Sequence, residues 1–201
     1  DHEPETLYDL LHPWTLLFLA LGCVILYQVV TAVLWTSGHL LLGLVTAPLL
    51  GVVAPLWTIV RHLGLSARAE LRLHPLPVST WFLVIWILAA ALPPTYALSA
   101  LNSRLVPPTA DAFELYRELI PRGPGTFVVG LLAVVVLAPL AEEMVFRGLV
   151  LDVFRRHMRL PAALLLSGAL FGASHGAPWM MLPISFLGGL LGVIRWSAGS
   201  L

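Results

Sequence analysis

Two adjacent carboxylates and a guanidinium interrupt a long apolar stretch at residues 138–148, where Glu142, Glu143 and Arg147 occur. Each ionisable group inside a membrane span costs about 2.5–3.5 kcal/mol on insertion scales, so such a group marks a functional site by default. Glu143 and Arg147 are spaced to pair on one helix face, whereas Glu142 is rotated by about 100° from Glu143. We expect Arg147 to neutralise one carboxylate, leaving the other to act on a proton or a water.

A histidine follows one helix later, where Phe171 and His175 have the i, i+4 spacing that stacks side chains on one face. If the membrane interface lies near Phe154 and Pro161, Glu142 and His175 lie about 18 Å and 21 Å above it at 1.5 Å per residue. The spacing therefore predicts a carboxylate and an imidazole at one depth. Such a pair can hold and deprotonate a water, or bind zinc or another divalent metal ion.

The pattern alone leaves two other interpretations open. A Glu–Arg pair also serves to lock two helices together, and acidic residues with a histidine also form proton paths in transporters. No H-E-x-x-H pair, G-x-S-x-G elbow or glycine-rich phosphate loop is present in the sequence.

The composition indicates that most of the chain lies in a lipid bilayer. Of 201 residues, 59% are hydrophobic and 11% charged, with a mean hydropathy of +0.91, whereas about a quarter of the residues of a soluble domain are charged. The net charge is zero and all 11 cationic residues are arginines, which provides no basic stripe for a nucleic-acid partner. Cys23, the single cysteine, excludes an internal disulfide and a cysteine-based metal cluster.

The elements that must position these groups are membrane-spanning helices. Runs of about 20 apolar residues match the thickness of a bilayer core, and backbone polar groups in lipid must bond within their own segment. The sequence predicts an all-α polytopic transmembrane bundle with about six spans, at 13–35, 39–60, 80–101, 127–154, 161–173 and 180–196. We divide it into an N-terminal membrane region of three spans and loops, 1–125, and a core, 126–201, that contains the candidate catalytic residues.

Smaller features complete this expectation. Glycines four residues apart permit close approach of the last two spans; they are Gly168, Gly172, Gly188 and Gly192. The loop before the fourth span contains a candidate short amphipathic helix at 113–120. Arginines that follow the second and fourth spans and end the sixth place these three sites on the cytoplasmic side.

Taken together, the motifs resemble those of a protease family. The pattern Glu142-Glu143-x-x-x-Arg147, then Phe171-x-x-x-His175, then a glycine-rich span ending Arg-Trp-Ser-Ala-Gly-Ser-Leu is similar to the CPBP intramembrane proteases, which include the CAAX prenyl protease 2 enzymes and bacterial Abi-type proteins. The resemblance covers roughly a third of the chain.

The resemblance implies an intramembrane endopeptidase that acts on a peptide or membrane-protein substrate. In it, Glu142 is the general base that activates water, His175 helps to hold that water, Glu143 and Arg147 form a supporting pair, and Phe171 lines the pocket. Whether Glu142 and His175 also bind zinc or another divalent ion stays open, as does the oligomeric state. A non-catalytic scaffold or pseudoprotease is the alternative, followed by a proton-coupled transporter.

The resemblance also implies a later H-x-x-x-[ND] motif, which the 201 residues lack, so we expect the sequence to be a truncated piece. Its only asparagine, Asn102, is expected in a loop far from the motifs. The abundance of Leu, Ala and Gly without Lys is typical of a high-GC bacterium. The expected location is therefore the bacterial inner membrane, with the site facing the cytoplasm.

Overall fold

The residues that the structure describes are folded as helices joined by short connections. The computed structural model describes residues 6–66, 70, 77–110, 112–113, 117 and 123–199. Its helices are α1 (Leu7–Leu10), α2 (Pro13–Thr36), α3 (Leu40–His62), α4 (Val78–Leu105), α5 (Pro124–His157), α6 (Leu160–Ser174) and α7 (Pro178–Ala198). The predicted all-α polytopic bundle is confirmed.

Five helices of the described chain are long and apolar enough to cross a membrane: α2, α3, α4, α5 and α7. The fifth predicted span, at 161–173, corresponds to α6, which has 15 residues; these reach about 23 Å at 1.5 Å per residue and fall short of a core of about 30 Å. The amphipathic helix predicted at 113–120 lies largely outside the described residues.

Large apolar side chains cover the outer surface of these helices. On α4, for example, Trp86 is 73% exposed and Tyr96 79% exposed, and only Ala91 and Asn102 of that helix are buried. Exposed apolar surface on this scale marks a membrane or protein interface, and together with the length of these helices it agrees with a membrane-embedded chain.

Two of the long helices contain π-helical turns, in which backbone hydrogen bonds span five residues instead of four. The turns are Leu49–Val53, Ala133–Leu137 and Phe146–Val150. The first two precede Pro55 and Pro139, whose missing N–H removes a helical hydrogen bond inside each turn. The third has no such proline behind it, and it contains Arg147.

The chain divides into two compact units, each made of segments far apart in sequence. One unit consists of Asp1–Leu71 and Ala110–Val153, and the other of Arg72–Thr109 and Phe154–Leu201. The first therefore contains α1, α2, α3 and most of α5, and the second α4, α6 and α7. The predicted division at residue 125 stays a prediction.

In the first unit, α3 approaches α2 so closely that their backbones touch. A Cβ atom on Gly51 would lie 2.7 Å from both the Cα and the backbone nitrogen of Tyr27, which is shorter than any tolerable contact. Only glycine therefore fits where the π-helical turn of α3 crosses α2. This crossing holds the backbone of Tyr27 in place.

In the second unit, α6 and α7 pack through their glycines, as the four-residue spacing predicts. A Cβ atom on Gly172 would lie 2.1 Å from Ser185 Oγ and 2.7 Å from the Met181 carbonyl. Gly168 meets the backbone of Gly189 and Ser185 in the same way. The predicted close approach of these two helices is confirmed, and it fixes α6 directly before His175.

Candidate active site

The two carboxylates lie in the middle of α5, far from either end of the helix. Glu142 precedes the last residue of α5 by 15 positions, about 23 Å at the α-helical rise. Both glutamates are half-buried, and Ala141 and Met144 beside them are buried. A carboxylate at this depth has little access to bulk water, so its partners must come from the protein.

Glu143 and Arg147 form an ion pair one helical turn apart. Arg147 Nη1 lies 3.0 Å from Glu143 Oε1, and the side chain of Arg147 is 1% exposed while that of Glu143 is 23% exposed. The predicted pairing is confirmed. Because a guanidinium so buried needs a counter-charge, Glu143 compensates the charge of Arg147; a role of the pair in catalysis stays a prediction.

Glu142 interacts electrostatically with two other side chains of the same unit. One is Arg147, which is attracted to both glutamates, and the other is the phenol of Tyr27 on α2. Sequence reasoning missed Tyr27. The available signal was a hydroxyl-bearing side chain in the middle of an otherwise apolar span, but nothing in the spacing connected it with α5.

The π-helical turn that contains Arg147 is tied to the N-terminal segment. The hydroxyl of Tyr8 on α1 donates a hydrogen bond to the carbonyl of Gly148. The backbone N–H of Leu7 donates to a carboxylate oxygen of Glu70 at 3.2 Å, and the Leu7 side chain is buried. The Tyr8 bond docks α1 on the residue that follows Arg147, a contact that the sequence did not predict.

His175 directly follows the last residue of α6, and a backbone carbonyl orients its ring. Its Nδ1 lies 2.8 Å from the carbonyl oxygen of Phe171. A carbonyl only accepts hydrogen bonds, so Nδ1 carries the proton and the neutral ring has its lone pair on Nε2. Nε2 is thus the nitrogen able to accept a proton or to ligate a metal.

Phe171 holds the same imidazole from the side. The two ring centroids are 4.9 Å apart with an interplanar angle of 73°, an edge-to-face arrangement that aromatic rings prefer. Phe171 is itself buried against α7, where a Cβ atom on Gly188 would lie 2.8 Å from its ring. The predicted stacking is confirmed, and the role of Phe171 in lining a pocket stays a prediction.

Asn102 does not lie in a loop far from the motifs, and that expectation is wrong. Helix α4 continues past the apolar run to Leu105, which places Asn102 in its last turn. Its Nδ2 donates to the Pro178 carbonyl at 2.9 Å, and its Oδ1 accepts from the Leu182 N–H at 2.7 Å. Pro178 is three residues after His175, so this amide belongs to the surroundings of the imidazole.

Glu142 and His175 lie in different units, and their common depth stays a prediction. Protein zinc sites use three or four side-chain ligands. Within the described ranges, no three His, Cys, Asp or Glu side chains come together as a metal-binding group. Binding of zinc or another divalent ion by Glu142 and His175 stays a prediction.

Comparison with known families covers both motifs. A family model described as Rce1-like, Type II CAAX prenyl endopeptidase Rce1-like, matches residues 124–201. This region begins with the first residue of α5 and contains the Glu142–Arg147 and Phe171–His175 motifs. The predicted resemblance to CAAX-type proteases is confirmed for this part of the chain. A search of curated proteins and a search of solved structures found no match.

Proposed function

We propose that the protein is an intramembrane endopeptidase that hydrolyses a peptide bond with a water activated by Glu142. The observation that carries the proposal is the pairing of Arg147 with Glu143 at 3.0 Å, in the region that matches the CAAX-type family. That pairing compensates the buried positive charge. Glu142 is then the carboxylate available for proton transfer.

In the reaction, the carboxylate of Glu142 takes a proton from water while the water oxygen bonds to the carbonyl carbon of the substrate. The carbonyl oxygen becomes an oxyanion in a tetrahedral intermediate. The carboxyl group of Glu142 then returns its proton to the amide nitrogen, the C–N bond breaks, and a carboxylic acid and an amine leave. A positioned general base of this kind contributes about 10²–10⁴-fold to a rate.

His175 holds the attacking water. With Nδ1 donating to the Phe171 carbonyl, the lone pair on Nε2 accepts a hydrogen bond from one water O–H while Glu142 accepts the other. Two acceptors orient a lone pair of the water oxygen towards the substrate, which removes part of the entropic barrier.

The Glu143–Arg147 pair supports Glu142 without touching the substrate. Its members lie one and five residues further along the same helix, and Arg147 is nearly fully buried. Because the pair is rigid and its charges compensate each other, the electrostatic field at Glu142 stays constant during proton transfer. Such a fixed field is what electrostatic preorganisation means.

The substrate class follows from the location of the site. A carboxylate near the middle of a 34-residue apolar helix meets peptides that enter the bilayer or transmembrane segments of other proteins. The protein acts in the bacterial inner membrane, with the site open towards the cytoplasm, where the positive-inside rule places the exposed arginines Arg155, Arg156 and Arg159 that follow α5.

Cleavage of a membrane-protein and peptide library by the full-length protein in detergent tests the proposal. Wild type is compared with Glu142→Gln, with and without a chelator. Asp152→Asn is the matched control, because it makes the same carboxylate-to-amide change at a buried position of the same helix. We expect cleavage by wild type and by Asp152→Asn, and at least a hundredfold loss, about 2.7 kcal/mol in barrier, for Glu142→Gln.

Other outcomes contradict the proposal. If neither wild type nor Glu142→Gln cleaves while both fold and bind the same partners, the protein is a scaffold. If Glu142→Gln instead abolishes a pH-dependent flux across vesicles, it is a transporter. Loss of wild-type cleavage on chelation shows that a metal ion takes part in the reaction, the alternative that the sequence leaves open beside a glutamate base without metal.

A further inference from the structure

Asn102 is the buried polar residue of α4, a helix whose large apolar side chains are mostly exposed. It is 3% exposed, and the other buried residue of α4 is Ala91. An amide removed from water costs free energy unless its donor and acceptor both find partners. Asn102 meets this condition with bonds to residues 76 and 80 positions away.

The two groups that Asn102 binds are the pair that an α-helix joins directly. Pro178 and Leu182 are i and i+4, and a helix would bond the carbonyl of the first to the N–H of the second. The carboxamide of Asn102 bonds both, at 2.9 Å and 2.7 Å. Its insertion coincides with a 3₁₀ turn, Pro178–Met180, before the regular helix begins at Met181.

The two hydrogen bonds of the Asn102 carboxamide, which we call the Asn102 clamp, also cap α7 from another helix. The first N–H groups of a helix need external acceptors, and the N-cap residue Met180 supplies no side-chain bond. The Oδ1 atom of Asn102 accepts from Leu182 in its place. The start of α7, and therefore the path of the chain before it, depends on a side chain of α4.

The backbone of His175 lies directly before the Asn102 clamp in the sequence. Only Gly176 and Ala177 separate His175 from Pro178, and Gly176 turns the chain with a φ of +62°. The imidazole is held on its N-terminal side by the Phe171 carbonyl. On its C-terminal side, the chain is held by the hydrogen bond from Asn102 on α4 to the Pro178 carbonyl.

We propose that Asn102 is a positioning residue for His175. By holding the Pro178–Leu182 turn, it fixes the backbone after His175 and hence the direction of Nε2. Asn102 does not touch the substrate in this assignment. Its catalytic consequence rests on the proposed function, whereas its effect on the imidazole does not.

The test compares wild type with Asn102→Ala in detergent. The Pro178 carbonyl also accepts from the Met181 N–H; without the amide we expect the Leu182 N–H to turn to this carbonyl, so that the helix start and the turn after His175 shift. Ser103→Ala, a neighbouring half-buried position of α4, is the matched control. Asn102→Asp, which keeps the size and the acceptor but loses the donor, is the second variant.

Two readouts separate positioning from folding. The first is the rate at which diethyl pyrocarbonate modifies His175 relative to His157, mapped by mass spectrometry; we expect the ratio to rise in Asn102→Ala and to stay at the wild-type value in Ser103→Ala. The second is cleavage, for which we expect kcat to fall by about tenfold to a hundredfold with KM changed by less than about twofold.

The outcomes test the proposed function and the role of Asn102 separately. If wild type cleaves nothing, the proposed function fails, and the modification ratio still tests Asn102. An unchanged ratio in folded Asn102→Ala overturns the assignment. If Asn102→Ala does not fold, Asn102→Asp is measured in its place, and failure of both to fold shows a purely structural amide and overturns it as well.

Discussion

The carboxylate of Glu143 lies 3.0 Å from the guanidinium of Arg147, and of the two side chains it is the arginine that is almost completely buried. The positive charge is thus enclosed by the helices, while the negative charge retains part of its exposure. Burying a guanidinium in this way is stable only while its counter-charge stays in place. The stability of the first unit therefore depends on the negative charge of Glu143.

Removal of one member of this pair is expected to destabilise the protein strongly. Glu143→Gln removes the carboxylate that pairs with the buried Arg147, at a cost of about 3–5 kcal/mol in the free energy of unfolding. Denaturant unfolding in detergent micelles measures it. In the double variant Glu143→Gln/Arg147→Met, which buries no charge, we expect recovery of more than half of the loss.

Arg159→Ala is the control for that experiment, because it removes an exposed arginine at the start of α6 and should change stability by less than about 0.5 kcal/mol. A double variant as unstable as the sum of its single changes contradicts the role of the pair as a charge-compensated unit.

His175→Asn is expected to keep the fold and lose cleavage. The side-chain amide nitrogen of asparagine takes the place of Nδ1 and can still donate to the Phe171 carbonyl, whereas no atom takes the place of Nε2. Loss of the acceptor should lower kcat by about 10²–10⁴-fold, with a thermal transition close to that of wild type. Cleavage assays and thermal melts in the same detergent measure both.

The same change at the exposed His157 controls for general effects of losing an imidazole. Retention of cleavage by folded His175→Asn assigns the water to another group and removes His175 from the mechanism.

Gly172→Ala and Gly22→Ala should have opposite effects. At Gly172 the new methyl group would lie 2.1 Å from Ser185 Oγ and 2.7 Å from the Met181 carbonyl, and at Gly22 it would meet nothing within 4 Å. Overpacking at Gly172 should cost about 1–3 kcal/mol, whereas alanine at Gly22 stabilises a helix by up to about 1 kcal/mol. Equal unfolding midpoints for the two variants contradict the close packing of α6 on α7.

Tyr27→Phe is expected to lower kcat by no more than about tenfold, which corresponds to about 1.4 kcal/mol. The change removes the hydroxyl that interacts with Glu142 and keeps the backbone and Cβ atoms of residue 27 that lie against Gly51. Tyr96→Phe makes the same change at an exposed position of α4 and should leave kcat unchanged. Equal rates for Tyr27→Phe and wild type show that the phenol takes no part in the site.

Helix-periodic spacing accounts for the parts of the structure that the sequence predicted. The i, i+4 relations between Glu143 and Arg147 and between Phe171 and His175 are local, and a single helix realises both. The glycine pair Gly168 and Gly172 likewise acts on the face that the helical period assigns to it. Such features need only the helix itself, which long apolar runs predict well.

Contacts between helices account for what the sequence did not predict. Tyr27 meets Glu142 because of how α2 packs on α5, and Asn102 reaches Pro178 across 76 residues. The apolar run of α4 also ends before its helix does, since the polar last turn continues to Leu105. No spacing rule within one segment contains this information.

The π-helical turn Phe146–Val150 makes the effect of a deletion in α5 depend on its position. Such a turn holds one residue more than the α-helical turn that it replaces, so deleting a residue of the turn other than Arg147 restores α-helical bonding and leaves Glu142 and Glu143 on nearly the same face relative to Leu151 and Asp152. The same loss in a regular α-helix rotates every preceding residue by about 100°. The turn is therefore the part of α5 that can absorb a change of length without redirecting the carboxylates.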